Sequence, residues 1–364
     1  MKKLLCISLL ILIFLGFLAG LWQLTQPLRA LNRVSLYNSV FPGRERLPFG
    51  ENPQKAYNFS IGSLDAAFAS HKINAARTKD PQEFRIIAIG DSSGWGTLLR
   101  PEETLCARLN DRILSDGRIT RCYNLAYPTL SLAKDYLLLN RAMDYDPDII
   151  LWPFTLESFP TDKQTSNELI LSNWDEYRNL FPEKAAEPQD TTMKDKSIWG
   201  ERREAADWLR LQLYGLMWAG TGIDQDYPEE YPAAQVDLEA DNSYHGIEGP
   251  LSESILSWDI LEKGMKRAGT TPVLLINEPM LISDGENSKI RYNYYYAREA
   301  YDSWHRDLIN RAEQNGWNLL DLWNSLEISD FTNSAIHYNA ESALRLADLV
   351  FAEIENIITN GPLS

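Results

Sequence analysis

A chain of 364 residues, 44% of them hydrophobic, carries enough apolar material for one large core or two modest ones, and its composition is globular. With 51 acidic against 35 basic residues and a formal net charge of −16, it is not built to bind nucleic acid, because phosphate contacts need clustered Lys and Arg. The acidity favours solubility and says little about fold. In chain order, Lys2 and Lys3 precede an apolar run from Leu4 to Trp22, about long enough to cross a bilayer as a helix. Residues 1–24 are therefore expected to form an N-terminal transmembrane signal anchor. The competing reading is a secretory signal peptide, which has a shorter apolar region and ends in a small-x-small site. Here Leu18-Ala19-Gly20 is followed by Leu21 rather than Cys, and Trp22 suits an interface. Arg29 and Arg33 compete with Lys2 and Lys3 for the inside face. The expected orientation leaves the amino terminus inside and the body extracytoplasmic.

Residues 25–80 read as a stalk and packing segment, broken by Pro42-Gly43, Pro48-Phe49-Gly50 and Pro53, with a short helix near Ile61 to Ala69 and His71 as a surface or packing residue. Residues 81–364 then alternate apolar runs with helical patterns, the signature of parallel βαβ units. Strands are predicted at 84–89, 119–125, 148–154, 272–277 and 317–322, and helices at 102–114, 131–144, 253–268, 293–315 and 340–358. Leu105, Leu109 and Ile113 mark one face of the first of these helices, and Gly269 and Gly316 stand where C-caps belong. The fold class is α/β: a three-layer α/β/α sandwich around a five-stranded parallel sheet of flavodoxin-like type. Between about 160 and 250 the rhythm fails, and an inserted helical cap, centred on an amphipathic helix at 199–219, is expected over the carboxyl ends of the strands. A helix packed elsewhere on the core is the alternative. Cys106 and Cys122 either pair in an oxidising compartment or sit as buried thiols.

Ile89-Gly90-Asp91-Ser92-Ser93-Gly94-Trp95-Gly96 places a serine between a strand and a helix start. Backbone N–H groups are unpaired there and favour a developing oxyanion. The bland reading is a Gly-Asp-Ser turn that caps a helix. A serine needs a base to take its proton, and His337, before the last helix, follows the last strand. Loops after the first and last strands can meet at one end of such a sheet.

On these residues the chain resembles the SGNH/GDSL hydrolase family, over roughly 84–160 and 270–358. Gly90-Asp91-Ser92 is similar to that family's nucleophile block and Asn124-Leu125-Ala126-Tyr127-Pro128-Thr129 to its second. Pro147-Asp148 through Glu157-Ser158 is similar to its third, and Phe331 to Asn339 to its last. The resemblance implies ester hydrolysis or acyl transfer through a seryl intermediate, without metal or cofactor, on a small-molecule or glycan or lipid ester. Ser92 and His337 would be catalytic. Departures are specific: Thr129, whose N–H would hold the oxyanion together with that of Ser92, stands where the family has an oxyanion glycine, Glu157 where it has an amide-donating asparagine, and Ser334 where it has the triad acid. A carboxylate at 157 cannot donate, and loss of one such donor typically costs about 10²–10³-fold in rate. Asn333 is the expected third member, with Asp330 further back; Asn124, in the second block, is expected at the oxyanion or pocket, and Glu278, at a strand end, is expected to line the pocket or to cap a turn. Arg291 to Tyr296 offers either a stacking surface for sugar or an aromatic helix start. The rival class is a catalytically inactive SGNH-fold binding or envelope-assembly protein.

Overall fold

The computed structural model describes residues 2–25, 43–49, 62–184 and 230–360, isolated positions within 27–34 and 202–215, and the side chains of the first helix from Ile7 onward. Strands β1 (Glu83–Ala88), β2 (Ile119–Asn124) and β3 (Ile149–Phe154) are followed by a small antiparallel hairpin, β4 (Ser243–Tyr244) and β5 (Ile247–Glu248), and by β6 (Val273–Asn277) and β7 (Asn318–Asp321). The five long strands form one parallel sheet in the order β2-β1-β3-β6-β7. This is the sheet the sequence predicts. Near-continuous apolar runs such as Ile86-Ile87-Ala88-Ile89 suit strands covered on both faces.

Alternate residues divide the core. Ile87, Tyr123, Ile150, Trp152 and Leu275 point to one layer, and Ile86, Cys122, Leu151, Leu274 and Ile276 to the other. The helices are α1 (Lys2–Thr25), α2 (Leu64–Ser70), α3 (Ser92–Trp95), α4 (Leu105–Arg108), α5 (Leu132–Ala142), α6 (Glu168–Ser172), α7 (Trp174–Leu180), α8 (Trp258–Ala268), α9 (Arg298–Asn315) and α10 (Ala340–Asn360). Helices α2 and α5 to α9 cover the first layer; α4 and α10 cover the second. Each large apolar side chain so buried contributes about 1.5–3 kcal/mol. Gly316 closes α9 in the left-handed conformation, its N–H returning to Ala312 and Glu313 carbonyls.

Two expectations change. The helix predicted at 102–114 shrinks to a 3-10 turn at Pro101–Glu103 and the short α4. Asp111 takes a positive φ, and its N–H goes to Thr120 of β2. The Cys106–Cys122 disulfide ties α4 to that strand, so Ile113 leaves the apolar face and stands exposed. The aromatic run also starts no helix: Asn293 Oδ1 accepts the N–H groups of Tyr295 and Tyr296, and α9 begins only at Arg298. Of the expected insertion the structure describes mainly the two ends. Leu169, Ile170, Tyr177 and Phe181 bury themselves in the first core layer. The returning arm runs along the loop that precedes α10, with Ala234 N–H on the Thr332 carbonyl. Most of the helix expected at 199–219 lies outside the described residues.

Residues 43–49 lie against the body. Arg44 bridges His71, and Arg46 bridges Asn124 at the end of β2. His71 is a packing residue, wholly buried, accepting the Ile73 N–H at Nδ1 and facing the Glu45 carbonyl with Nε2. The consecutive apolar side chains of α1, Leu10, Leu12 and Phe17 among them, are about two-thirds exposed. Among the described residues no helix is long and apolar enough to cross a membrane.

Candidate active site

The strand order reverses between β1 and β3, and ligands of open α/β sheets bind in the crevice at the carboxyl ends of such strands. The chain leaves β1 through Gly90, whose φ of 125° admits only glycine without strain and whose missing Cβ would lie 2.9 Å from the Pro153 carbonyl oxygen. Asp91 then caps α3, its Oδ1 accepting the Ser93 N–H at 2.8 Å. Ser92 is thereby the first helical residue. Asn124 fixes the other end of the turn, donating its amide to the Gly94 carbonyl at 2.9 Å. It supports the turn that carries Ser92 and also lines a small cavity with Lys72, Thr104 and Cys122.

The loop between β7 and α10 is folded tightly on itself. A Phe331–Tyr338 bridge closes it, and the Thr332 N–H meets the His337 carbonyl. It is pinned to the exit of β6, where Leu281 N–H donates to Ala335 O, so it reaches across the sheet toward β1. There His337 Nε2 lies 2.9 Å from Ser92 Oγ, and His337 Nδ1 lies 2.8 Å from Asn333 Oδ1. Since an amide oxygen only accepts, the proton sits on Nδ1 and Nε2 is free to accept from the serine hydroxyl. Burial pushes the imidazole down to about 4. Of the other two candidates for the third position, Ser334 Oγ meets Tyr294 OH at 3.0 Å, and Asp330 caps a turn and pairs with Arg345. Neither takes His337 as a partner.

The two positions expected near the oxyanion differ from a donor pair. Thr129 gives its N–H to the Tyr127 carbonyl at 2.8 Å, and so reaches an oxyanion only by exchanging that bond. Glu157, almost fully buried, accepts from Lys163 Nζ and lies 2.9 Å from His245 Nε2. Burial alone would push its carboxyl up; the hydrogen bond from His245 and the Lys163 ammonium outweigh it and hold the group below the ordinary range. Glu157 is therefore a charged anchor for β4–β5 rather than an amide mimic. The hydrogen bond to Glu157 in turn raises His245, against burial. Sequence reasoning missed His245, whose left-handed conformation beside Gly246 turns the hairpin; a Tyr-His-Gly-Ile string is only a weak turn signal.

It also missed Arg46. This guanidinium stacks 3.9 Å over Trp95 and donates to the Gly96 and Leu99 carbonyls at 2.8 and 3.1 Å, while Trp95 Nε1 donates to the Leu47 carbonyl. The end of α3 is thus capped from outside the α/β body. Glu278 lies behind the turn, buried, with Oε1 2.5 Å from Ser93 Oγ.

No family model matches the chain, and no curated protein matches it. Among solved structures it is similar to a member of the lipolytic protein G-D-S-L family from Veillonella parvula, at 10% identity, covering 74% of this chain and 97% of that one with a TM-score of 0.37. It is also similar to Est24, a carbohydrate acetylesterase from Sinorhizobium meliloti (13% identity, 75% and 99% covered, TM-score 0.34). A third similarity is to the M. smegmatis aryl esterase (11% identity, 74% and 98% covered, TM-score 0.32). Likenesses this distant say nothing of the chemistry.

Proposed function

We propose that this chain is a serine ester hydrolase or acyltransferase, acting on a small-molecule, glycan or lipid ester from a membrane-tethered, extracytoplasmic position. The supporting observation is the line Ser92–His337–Asn333, assembled from segments 245 residues apart at hydrogen-bond distances. Ser92 Oγ attacks the ester carbonyl while its proton passes to His337 Nε2. The tetrahedral oxyanion takes the Ser92 N–H at the start of α3. Collapse breaks the ester C–O bond, and His337 returns the proton to the departing alkoxide. Water, or an acceptor alcohol, then repeats the sequence on the acyl-serine. The engaged Thr129 N–H and the anionic Glu157 point to turnover about 10²–10³-fold slower than a full set of donors gives. The same two residues favour a second reading, a binding protein that keeps the fold.

Labelling with a fluorophosphonate separates the two. We expect the parent protein to be labelled at Ser92, Ser92→Ala not at all, and His337→Ala at least about 10³-fold more slowly. A parent that stays unlabelled moves the protein to the binding class. The tether rests on the apolar circumference of α1, which water disfavours. An extracytoplasmic body is consistent with the Cys106–Cys122 disulfide.

A further inference from the structure

Three carboxyl groups and one ammonium are shut away from water behind the nucleophile turn: Asp91, Glu278, Asp135 and Lys134. Lys134 is committed. Its Nζ sits 2.5 Å from Asp135 Oδ1 and also donates to the Gly90 and Tyr127 carbonyls. The other Asp135 oxygen takes the Trp152 indole N–H at 3.2 Å. Among the described residues Asp91 and Glu278 form no ion pair, the Lys134 charge reaching them only from its place beside Asp135, and two buried carboxylates held on one residue cannot both stay ionised cheaply.

Their oxygens account for themselves in pairs. Asp91 Oδ1 accepts the Ser93 N–H, and Glu278 Oε1 accepts the Ser93 hydroxyl. Asp91 Oδ2 and Glu278 Oε2 are left buried without any donor, and the two carboxyls are brought together at one residue by their separate bonds to the Ser93 N–H and hydroxyl. One added proton satisfies both. We propose that Asp91 and Glu278 share a single proton between these oxygens, closing a ring through Ser93, and that Glu278 is thereby a positioning residue that locks the nucleophile turn to the exit of β6. Because that exit also carries the histidine loop, the ring holds Ser92 in register with His337. Burial, followed by the neighbouring Asp91 charge, raises Glu278. Burial likewise raises Asp91, with Lys134 pulling the other way. The groups facing the pair are Lys134 and Asp135 from α5, Ser93 from α3 and Tyr338 from the histidine loop; burial and the Glu278 charge push the Tyr338 phenol up.

The positioning role rests on the proposed serine chemistry; the shared proton does not, so two kinds of measurement are needed. Glu278→Gln keeps the ring without the titration, its amide donating to Asp91 and its oxygen accepting from Ser93, whereas Glu278→Ala opens it. Infrared spectra of the parent at neutral pH should contain a protonated-carboxyl band that Glu278→Gln lacks. A group raised in the folded state stabilises below its unfolded pKa and loses that contribution as pH rises through its folded value. Urea midpoints of the parent should therefore fall relative to Glu278→Gln as pH climbs from about 5 to 9. Fluorophosphonate labelling should be at least about tenfold faster in Glu278→Gln than in Glu278→Ala at neutral pH. Its alkaline limb should lie higher in Glu278→Gln than in the parent. A parent without the carboxyl band, or urea midpoints that move together, overturns the shared proton. Labelling equally slow in both variants, or alkaline limbs that coincide, overturns the positioning role. If the parent is not labelled at all, the hydrolase reading and with it the positioning role fall, and the infrared and urea results still decide the ring.

Discussion

With its imidazole pushed down to about 4 by burial, His337 is neutral at ordinary pH and ready to accept a proton, but it is a weaker base than one poised near 7. Asn333 sets the tautomer and adds no charge to stabilise the imidazolium. Replacing it by a carboxylate favours the charged ring. Asn333→Asp should shift the acid limb of fluorophosphonate labelling upward by at least about one pH unit, read between pH 4 and 8. A limb that stays put would mean that residue 333 does not face Nδ1 in solution. Ser92, His337 and Asn333 were legible because each is marked by short-range sequence: a strand end, a helix start, a four-residue spacing. The Glu157 to His245 contact spans 88 residues and left no such mark. The exchange of an amide for a carboxylate at 157 announced a loss; the partners that make the carboxylate useful lay in a region without periodicity.

At the level of elements, the short hairpin β4–β5 is held by that contact beyond the end of β3, by the buried Tyr244 ring and by Arg291, which donates to the Asp241 and Ser243 carbonyls. The hydrogen bond raises His245, so the attachment is strongest below the ordinary histidine pKa and fades as pH rises through the raised folded value. Glu157→Gln should bring His245 back down toward about 6.5 in an NMR titration. It should also lower the unfolding free energy by about 1–2 kcal/mol, a range discounted because Lys163 and His245 are part-exposed. An unshifted His245 would show that the hairpin sits elsewhere in solution. Strands were read to within a residue or two because both faces are covered and apolar runs leave no ambiguity. The stretch at 102–114 misled because helical spacing of Leu105, Leu109 and Ile113 competes with β2, and the strand, the disulfide and the positive φ of Asp111 decide the outcome. Such competition is tertiary and invisible to a local window.

For the molecule as a whole, an acidic body and an apolar first helix make opposite demands on solvent. Deleting residues 1–42 should move the protein from the membrane fraction to the soluble one and leave labelling intact. Deleting residues 1–61 should have the same effect on fractionation but cut labelling at least about tenfold, since Arg46 and Leu47 leave with it. A full chain already in the soluble fraction removes the tether from the proposal, and equal labelling of the two deletions removes any role for residues 43–49 at the site.

The grip of Arg46 on the carbonyls after Trp95 has a mechanical corollary. Coming up the chain from α1, these contacts follow closely on the Arg33–Asp65 ion pair and on the contacts of Arg44 with Ser70 and of Glu45 with Lys72, and they end on the turn that carries Ser92. Tension on the tail is therefore shared between α2, the turn that follows it and the turn that carries Ser92. A hydroxyl that lies 2.9 Å from its imidazole would register its share of such a load as a change in that distance.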